Sequence, residues 1–180
     1  MEYWNPHASR GVTLLELITA MAMAAILAAI AIPSYKYVTT TNRISAEVNG
    51  LLGDLQFARS EAIKRGQTVT TCVSSNGTTC ATNNSWQNGW IVFTDVNNDA
   101  TVDPGDTILR VQSGFAASDT FIASNNVSFV SFNREGFASG LANGTLITLH
   151  APIPTQASTR CLSLTLVGLM AVKTYGGTCL

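Results

Sequence analysis

The sequence predicts an α+β protein in which one long N-terminal helix packs on an antiparallel β-sheet. An apolar run follows Gly11, and an amphipathic stretch with helical spacing continues to Gly66. Beyond it, short β-branched and aromatic segments alternate with turn residues. A length of 180 residues suits one domain plus an anchor. We therefore expect a leader over residues 1–11, a membrane helix over 12–33, its amphipathic continuation over 34–66 and a β-rich domain over 67–180.

The apolar run over residues 12–32 contains one charged side chain, Glu16. About 20 apolar residues are enough for a helix to cross a bilayer. A carboxylate within such a helix costs about 2.5–3.5 kcal/mol on insertion scales, so it usually has a specific partner. Two alternatives remain open. A plain transmembrane anchor leaves Glu16 unexplained, and a secretory signal peptide cut after Ala29-Ile30-Ala31 would have an unusually long apolar region containing a carboxylate.

The segment after Pro33 has apolar residues at steps of three and four, which is typical of an amphipathic helix. The members of this apolar stripe are Ile44, Val48, Leu51, Leu52, Leu55, Ala58 and Ala62. Lys64 and Arg65 followed by Gly66 indicate the helix end. The whole helix, over residues 12–65, would be about 80 Å long. Pro33 removes one backbone hydrogen bond, so we expect a kink there.

Seven segments beyond Gly66 have the composition of β-strands. They cover residues 68–73, 90–94, 107–111, 127–132, 146–149, 161–166 and 170–174. Pro104-Gly105 and the stretch 133–136 supply turn residues between them. Residues 74–88 and 116–126 are polar and are expected to form loops. Five aromatic residues are expected in the core or on a sheet face: Trp86, Trp90, Phe93, Phe129 and Phe132.

Four cysteines occur as two pairs that are close in sequence, Cys72 with Cys80 and Cys161 with Cys179. An even number outside the cytoplasm favours disulfide bonds. Four cysteines allow three connectivities, of which the two local loops are the simplest, and free core cysteines are the alternative. No C-x-x-C spacing occurs, so no zinc site is expected. A net charge of −1 gives no basic footprint for nucleic acid.

The N-terminal sequence resembles the prepilin motif of type IV filament proteins. A short polar leader ends in Arg10-Gly11, and residues 12–17 read Val-Thr-Leu-Leu-Glu-Leu. In that family a membrane peptidase cuts after the glycine, and the new N-terminal residue is N-methylated. The resemblance implies a cut between Gly11 and Val12, methylation of Val12 and an assembly role for Glu16. Val12 departs from the phenylalanine that the family usually has at this position.

Three further stretches resemble the GspH/FimT/FimU group of minor pilins and pseudopilins. They are residues 51–69, LLGDLQFARSEAIKRGQTV, residues 86–95, WQNGWIVFTD, and residues 106–110, DTILR. The resemblance implies a non-catalytic subunit with no cofactor, anchored by one pass in the inner membrane, with a periplasmic C-terminal domain, which then joins a pilus or pseudopilus. The implied partners are the prepilin peptidase and other major and minor pilins or pseudopilins, contacted through the N-terminal helix.

Within this group we expect a minor type IV pilin in a tip or priming complex for pilus biogenesis. One alternative is the H-type minor pseudopilin of a type II secretion system. Another is a FimT-like DNA-uptake pilin, but that branch uses a basic Gly-Arg motif where this chain has Gly168-Leu169, with only Lys173 basic nearby. A membrane-anchored periplasmic hydrolase is a remote alternative, because the sequence carries no catalytic motif.

An acidic segment has oxygen-bearing side chains at the spacing of an EF-hand-like calcium loop. Its members are Asp95, Asn97, Asp99, Thr101, Asp103 and Asp106. Ala100 stands where the sharp turn of such a loop needs glycine, and Asp106 is short for the bidentate glutamate. The alternative is a solvated turn between the strands at 90–94 and 107–111.

Overall fold

A computed structural model describes residues 11–115, 118–141, 145–150, 155–176 and 179. Leader residues 1–10 lie outside the described residues. The chain divides into two compact units, Met1–Thr39 and Thr40–Leu180. One helix, α1, runs over Leu14–Arg65 and includes Pro33. The helix continues through Pro33 without a break, and the kink expected there stays a prediction.

In the N-terminal unit, every side chain from Gly11 to Thr39 is exposed. The apolar half of α1 is long and apolar enough to cross a membrane, judged by length and composition. A helix that is apolar on all sides has no stable water-facing surface, so it requires lipid or other helices around it.

In the C-terminal unit, α1 supplies one wall of the core. Six members of the predicted apolar stripe are fully buried, and Leu52 is partly buried: the six are Ile44, Val48, Leu51, Leu55, Ala58 and Ala62. The stripe prediction is confirmed. The structure is α+β, with a long N-terminal helix packed on antiparallel sheets, which confirms the predicted fold class.

Among the described residues, nine strands make up two antiparallel sheets. They are β1 Val69–Val73, β2 Gly89–Thr94, β3 Ile108–Ser113, β4 Thr120–Ala123, β5 Phe129–Phe132, β6 Ala138–Ser139, β7 Leu146–His150, β8 Thr159–Leu164 and β9 Met170–Thr174. The five-stranded sheet has the order β3-β2-β1-β5-β6, and the four-stranded sheet has the order β4-β7-β8-β9. The sequence predicted one sheet, and it placed β4 within an expected loop.

The burial of β1 explains why apolar and polar residues do not alternate along its sequence. All five of its residues are buried, because both faces of the five-stranded sheet are covered. On one face, Val69 and Val73 join the main core with α1. On the other face, Cys72 packs with Ile91 and Phe93 in a separate small cluster. Trp86, Trp90, Phe93 and Phe132 are fully or almost fully buried, and Phe129 is partly buried.

Candidate functional site

The start of α1 carries the residues of the predicted cleavage and assembly motif. Gly11, Val12 and Thr13 precede the helix. The Thr13 hydroxyl accepts a hydrogen bond from the Glu16 backbone N–H at 3.2 Å, so Thr13 caps the helix. Glu16 occupies the third helical position, as in a capping box. The pattern Thr-x-x-Glu in the sequence signals this cap.

The Glu16 carboxylate makes no ion pair within the residues that the structure describes. Apolar side chains surround it along the exposed helix, including Leu15, Leu17 and Ile18. A carboxylate that enters hydrocarbon among apolar side chains needs a cation as its partner, and that cation must come from outside this part of the chain. The geometry therefore leaves this group available to a partner.

In the C-terminal unit, the three stretches that carry the family resemblance meet at Asp54. The Trp90 indole N–H donates to one carboxylate oxygen of Asp54 at 2.9 Å, and Arg110 donates to the other at 2.7 Å. The Arg110 guanidinium also lies 3.7 Å from the ring centroid of Phe57, in a cation–π contact. This cluster joins α1 to β2 and to the edge strand β3, which gives the resemblance a physical basis in helix–sheet attachment.

Arg59 is a second attachment point between α1 and the strand connections. Its guanidinium donates to the carbonyl oxygens of Gly136 at 2.9 Å and Gly168 at 3.0 Å. Gly168 has φ of 76°, and a Cβ there would lie 2.5 Å from the Gly136 carbonyl oxygen. Glycine is therefore needed where the β8–β9 connection passes the turn before β6.

Exposed apolar side chains lie on α1 and on the two segments that supply the acceptors of Arg59, and we call them the apolar end patch. They are Ile63, Phe137, Leu166, Val167 and Leu169. A cleft of about 380 Å³ beside them is lined by α1 and the β8–β9 connection, with Arg59 as its one titratable side chain. Because the Arg59 guanidinium already donates to the two backbone carbonyls, it is not available to bind a phosphate. Exposed apolar patches are typical of protein contact surfaces.

Near the start of the C-terminal unit, two carboxylates lie beside one guanidinium. Arg43 donates to both oxygens of Asp119, at 2.7 and 2.8 Å. Glu47 Oε1 lies 4.0 Å from Arg43 Nε, and Glu47 Oε2 is buried with no hydrogen-bond partner. Burial, reinforced by the negative charge of Asp119, raises the pKa of Glu47 to about 7. No sequence pattern indicates this cluster, because Asp119 lies in a stretch that is predicted to be a loop.

The cysteines form two disulfides, Cys72–Cys80 and Cys161–Cys179. All four cysteines lie in the part of the chain that the structure describes, and all four are paired. The first bond ties β1 to the loop that follows it. The second ties β8 to the chain end, and both of its cysteines are fully buried. This is the local pairing among the three that the sequence allowed.

The acidic segment forms a turn closed by its own hydrogen bonds. Asp95 is buried and accepts hydrogen bonds from the Thr70 hydroxyl at 2.7 Å and from the Ala100 N–H at 3.1 Å. Asp106 accepts from the N–H groups of Val96 and Asp103. In the described residues, no group of three or more His, Cys, Asp or Glu side chains is placed to hold a metal ion. The carboxylates act as caps for the turn.

Comparisons with known proteins agree on the kind of molecule. The family model described as type II transport protein GspH matches residues 47–168, and the model of the prokaryotic N-terminal methylation motif matches residues 6–32. No curated protein matches. The fold is similar to the type IV minor pilin FimU of Pseudomonas aeruginosa in two crystal forms. One form has a TM-score of 0.58 and 20% identity over 73% of this chain and 89% of that one. The other has a TM-score of 0.51 and 17% identity over 75% and 90%.

Proposed function

Because this chain belongs to the GspH family of minor pilins and pseudopilins, which are structural subunits, we propose that it works as a minor type IV pilin in a tip or priming complex. The observation that carries the proposal is the N-terminal half of α1. Its side chains are exposed and apolar over a full membrane span, interrupted by the single carboxylate of Glu16. Such a helix can be stabilised first by lipid and then by the equivalent helices of neighbouring pilins.

The proposed location is the inner membrane, with the C-terminal unit in the periplasm before assembly. Two disulfides in that unit support this orientation, because disulfide bonds persist in the periplasm and are rare in the cytosol. In this orientation the leader would lie on the cytoplasmic side, within reach of the peptidase. Alkylation of free thiols in intact cells, before and after reduction of the disulfides, tests this orientation.

The H-type pseudopilin of a type II secretion system is the second candidate, favoured by the description of the matching family model. The similarity to a type IV minor pilin favours the pilus. Deletion of the gene separates the two functions. Loss of surface pili with normal protein secretion supports the pilus, and loss of secretion with normal pili supports the pseudopilus.

We expect the mature protein to begin at Val12, after a cut by a prepilin-type peptidase. Gly11→Leu should prevent this cut, whereas Gly11→Ala should retain much of it, because the family's peptidase reads a small residue there. A Cβ at Gly11 would meet no described atom within 4 Å, so a difference between these variants reports recognition and not misfolding. N-terminal sequencing decides the matter. A chain beginning at Ile32 would instead identify an ordinary signal peptide.

The apolar end patch is proposed as a contact surface for a neighbouring pilin. Leu166→Ser with Leu169→Ser should reduce co-purification with the other pilins several-fold. Both side chains are exposed, so the change in unfolding free energy should stay within about 0.5 kcal/mol. Val96→Ser is the control, because Val96 is about as exposed as Leu169 but lies outside the patch. Equal co-purification of the patch variant and the control would show that the patch is not an assembly contact.

A further inference from the structure

The cluster of Arg43, Glu47 and Asp119 holds two carboxylates and one guanidinium. The side chain of Asp119 is fully buried, and that of Glu47 is 14% exposed. Both donors that Arg43 directs into the cluster bind Asp119. With all three groups ionised, the cluster therefore carries one negative charge in excess, and the excess falls on Glu47.

A buried carboxylate oxygen without a donor is costly when the group is ionised. Asp119 already has the strong bidentate pairing with Arg43, which occupies both donors that Arg43 directs into the cluster. Burial of Glu47, the adjacent negative charge of Asp119 and the shortage of donors all favour a neutral Glu47. The charged groups that act on Glu47 are Arg43 from its own helix and Asp119 from the segment before β4.

We propose that Arg43, Glu47 and Asp119 form a proton-dependent latch between α1 and the segment that enters β4, closed when Glu47 is protonated and loosened when that proton is lost. Asp119 immediately precedes β4, an edge strand of the four-stranded sheet. The latch therefore sets how firmly this sheet edge is held to the helix. It operates within the C-terminal unit and does not depend on which filament the protein joins.

The direction of the pH effect follows from proton linkage. Glu47 has a pKa of about 7 in the folded protein, against 4.5 for an unperturbed carboxyl. Its contribution to stability is fully present below pH 4.5 and decreases as the pH rises to about 7. Above that pH both the folded and unfolded states have lost the proton, and the contribution is gone.

Denaturant unfolding of the full-length, detergent-solubilised protein between pH 5 and pH 8.5 tests the latch. Glu47→Gln keeps the shape of a neutral carboxyl and does not ionise. Relative to this variant, the folding equilibrium constant of the wild type should fall by about tenfold or more between pH 5 and pH 8. Glu61→Gln is the control, because the ion pairs of Glu61 with Arg65 and Lys64 lower its pKa, so its contribution to stability is already present at pH 5 and should stay nearly constant up to pH 8.5.

A direct titration keeps the proposal testable if Glu47→Gln does not fold. Carboxyl NMR of protein labelled with ¹³C-glutamate should show one glutamate that titrates near pH 7. Asp119→Asn removes the neighbouring charge and should move that midpoint toward 4.5. The latch is overturned if no glutamate titrates above about pH 5.5, or if Glu47→Gln destabilises the protein equally at pH 5 and pH 8.

Discussion

Replacing Glu16 with glutamine or alanine should leave the protein in the membrane and abolish its incorporation into the filament. After the proposed cut, the new amine of Val12 lies about one helical turn from Glu16, some 5–6 Å along the axis. An ammonium is the best available partner for a carboxylate in hydrocarbon. We expect the amine of a neighbouring subunit to fill this role, because an intersubunit pair would set the axial register as each subunit leaves the bilayer.

The helix cap allows the charge of Glu16 to be tested separately from its effect on helix formation. Thr13 caps α1, and glutamine at position 16 remains compatible with a capping box. Thr13→Val removes the cap and keeps the carboxylate, so it should assemble far better than Glu16→Gln. Filament and membrane fractions probed by immunoblot give the comparison. Normal incorporation of both Glu16 variants would contradict the proposed ion pair.

Cys179→Ser should lower the melting temperature of the C-terminal unit by about 10 °C and increase its protease sensitivity. The Cys161–Cys179 bond closes a loop with a sequence separation of 18 residues. In the chain-entropy model, such a loop contributes about 3 kcal/mol to stability. The loop contains β9, which is paired only with β8 among the described strands. Loss of the bond should therefore free the chain end first, with no effect on the cut after Gly11.

Mass spectrometry of unreduced protein provides the control for this result. Wild-type protein should give the Cys161–Cys179 and Cys72–Cys80 cross-linked peptides. Cys161→Ser should have the same melting temperature as Cys179→Ser, since either change removes the same bond. A Cys72–Cys161 cross-link, or four free thiols in periplasmic material, would contradict the pairing.

The helix could be predicted from sequence because its signals are long and repeated. The apolar stripe of the C-terminal unit recurs over five turns, and the Lys64-Arg65-Gly66 ending lies where α1 ends. Strand signals are weaker. The structure places strands in all seven predicted segments, with ends that differ by up to two residues, but β4 and β6 were missed. Their four and two residues depend on pairing with distant strands more than on composition.

The division into two sheets could not be predicted from the sequence, because composition does not reveal which strands pair. β1 pairs with β5 about 60 residues away, and β4 pairs with β7 instead of its neighbours in sequence. Polar side chains presented a similar difficulty. Periodicity placed Asp54 and Arg59 away from the apolar stripe, where charged residues are usually solvated, but their partners come from remote strands and turns.

The placement of β4 has a consequence for the order in which an exported chain can fold. A chain that emerges N-terminus first has every strand of the five-stranded sheet available once Ser139 has crossed. β4 has crossed by then, but its partner β7 ends only at His150, so Phe121 lacks its final cover in the meantime. The Cys161–Cys179 bond closes later still. Unfinished subunits thus expose an aromatic strand edge until His150 has crossed, and this edge is open to non-native strand pairing in the meantime.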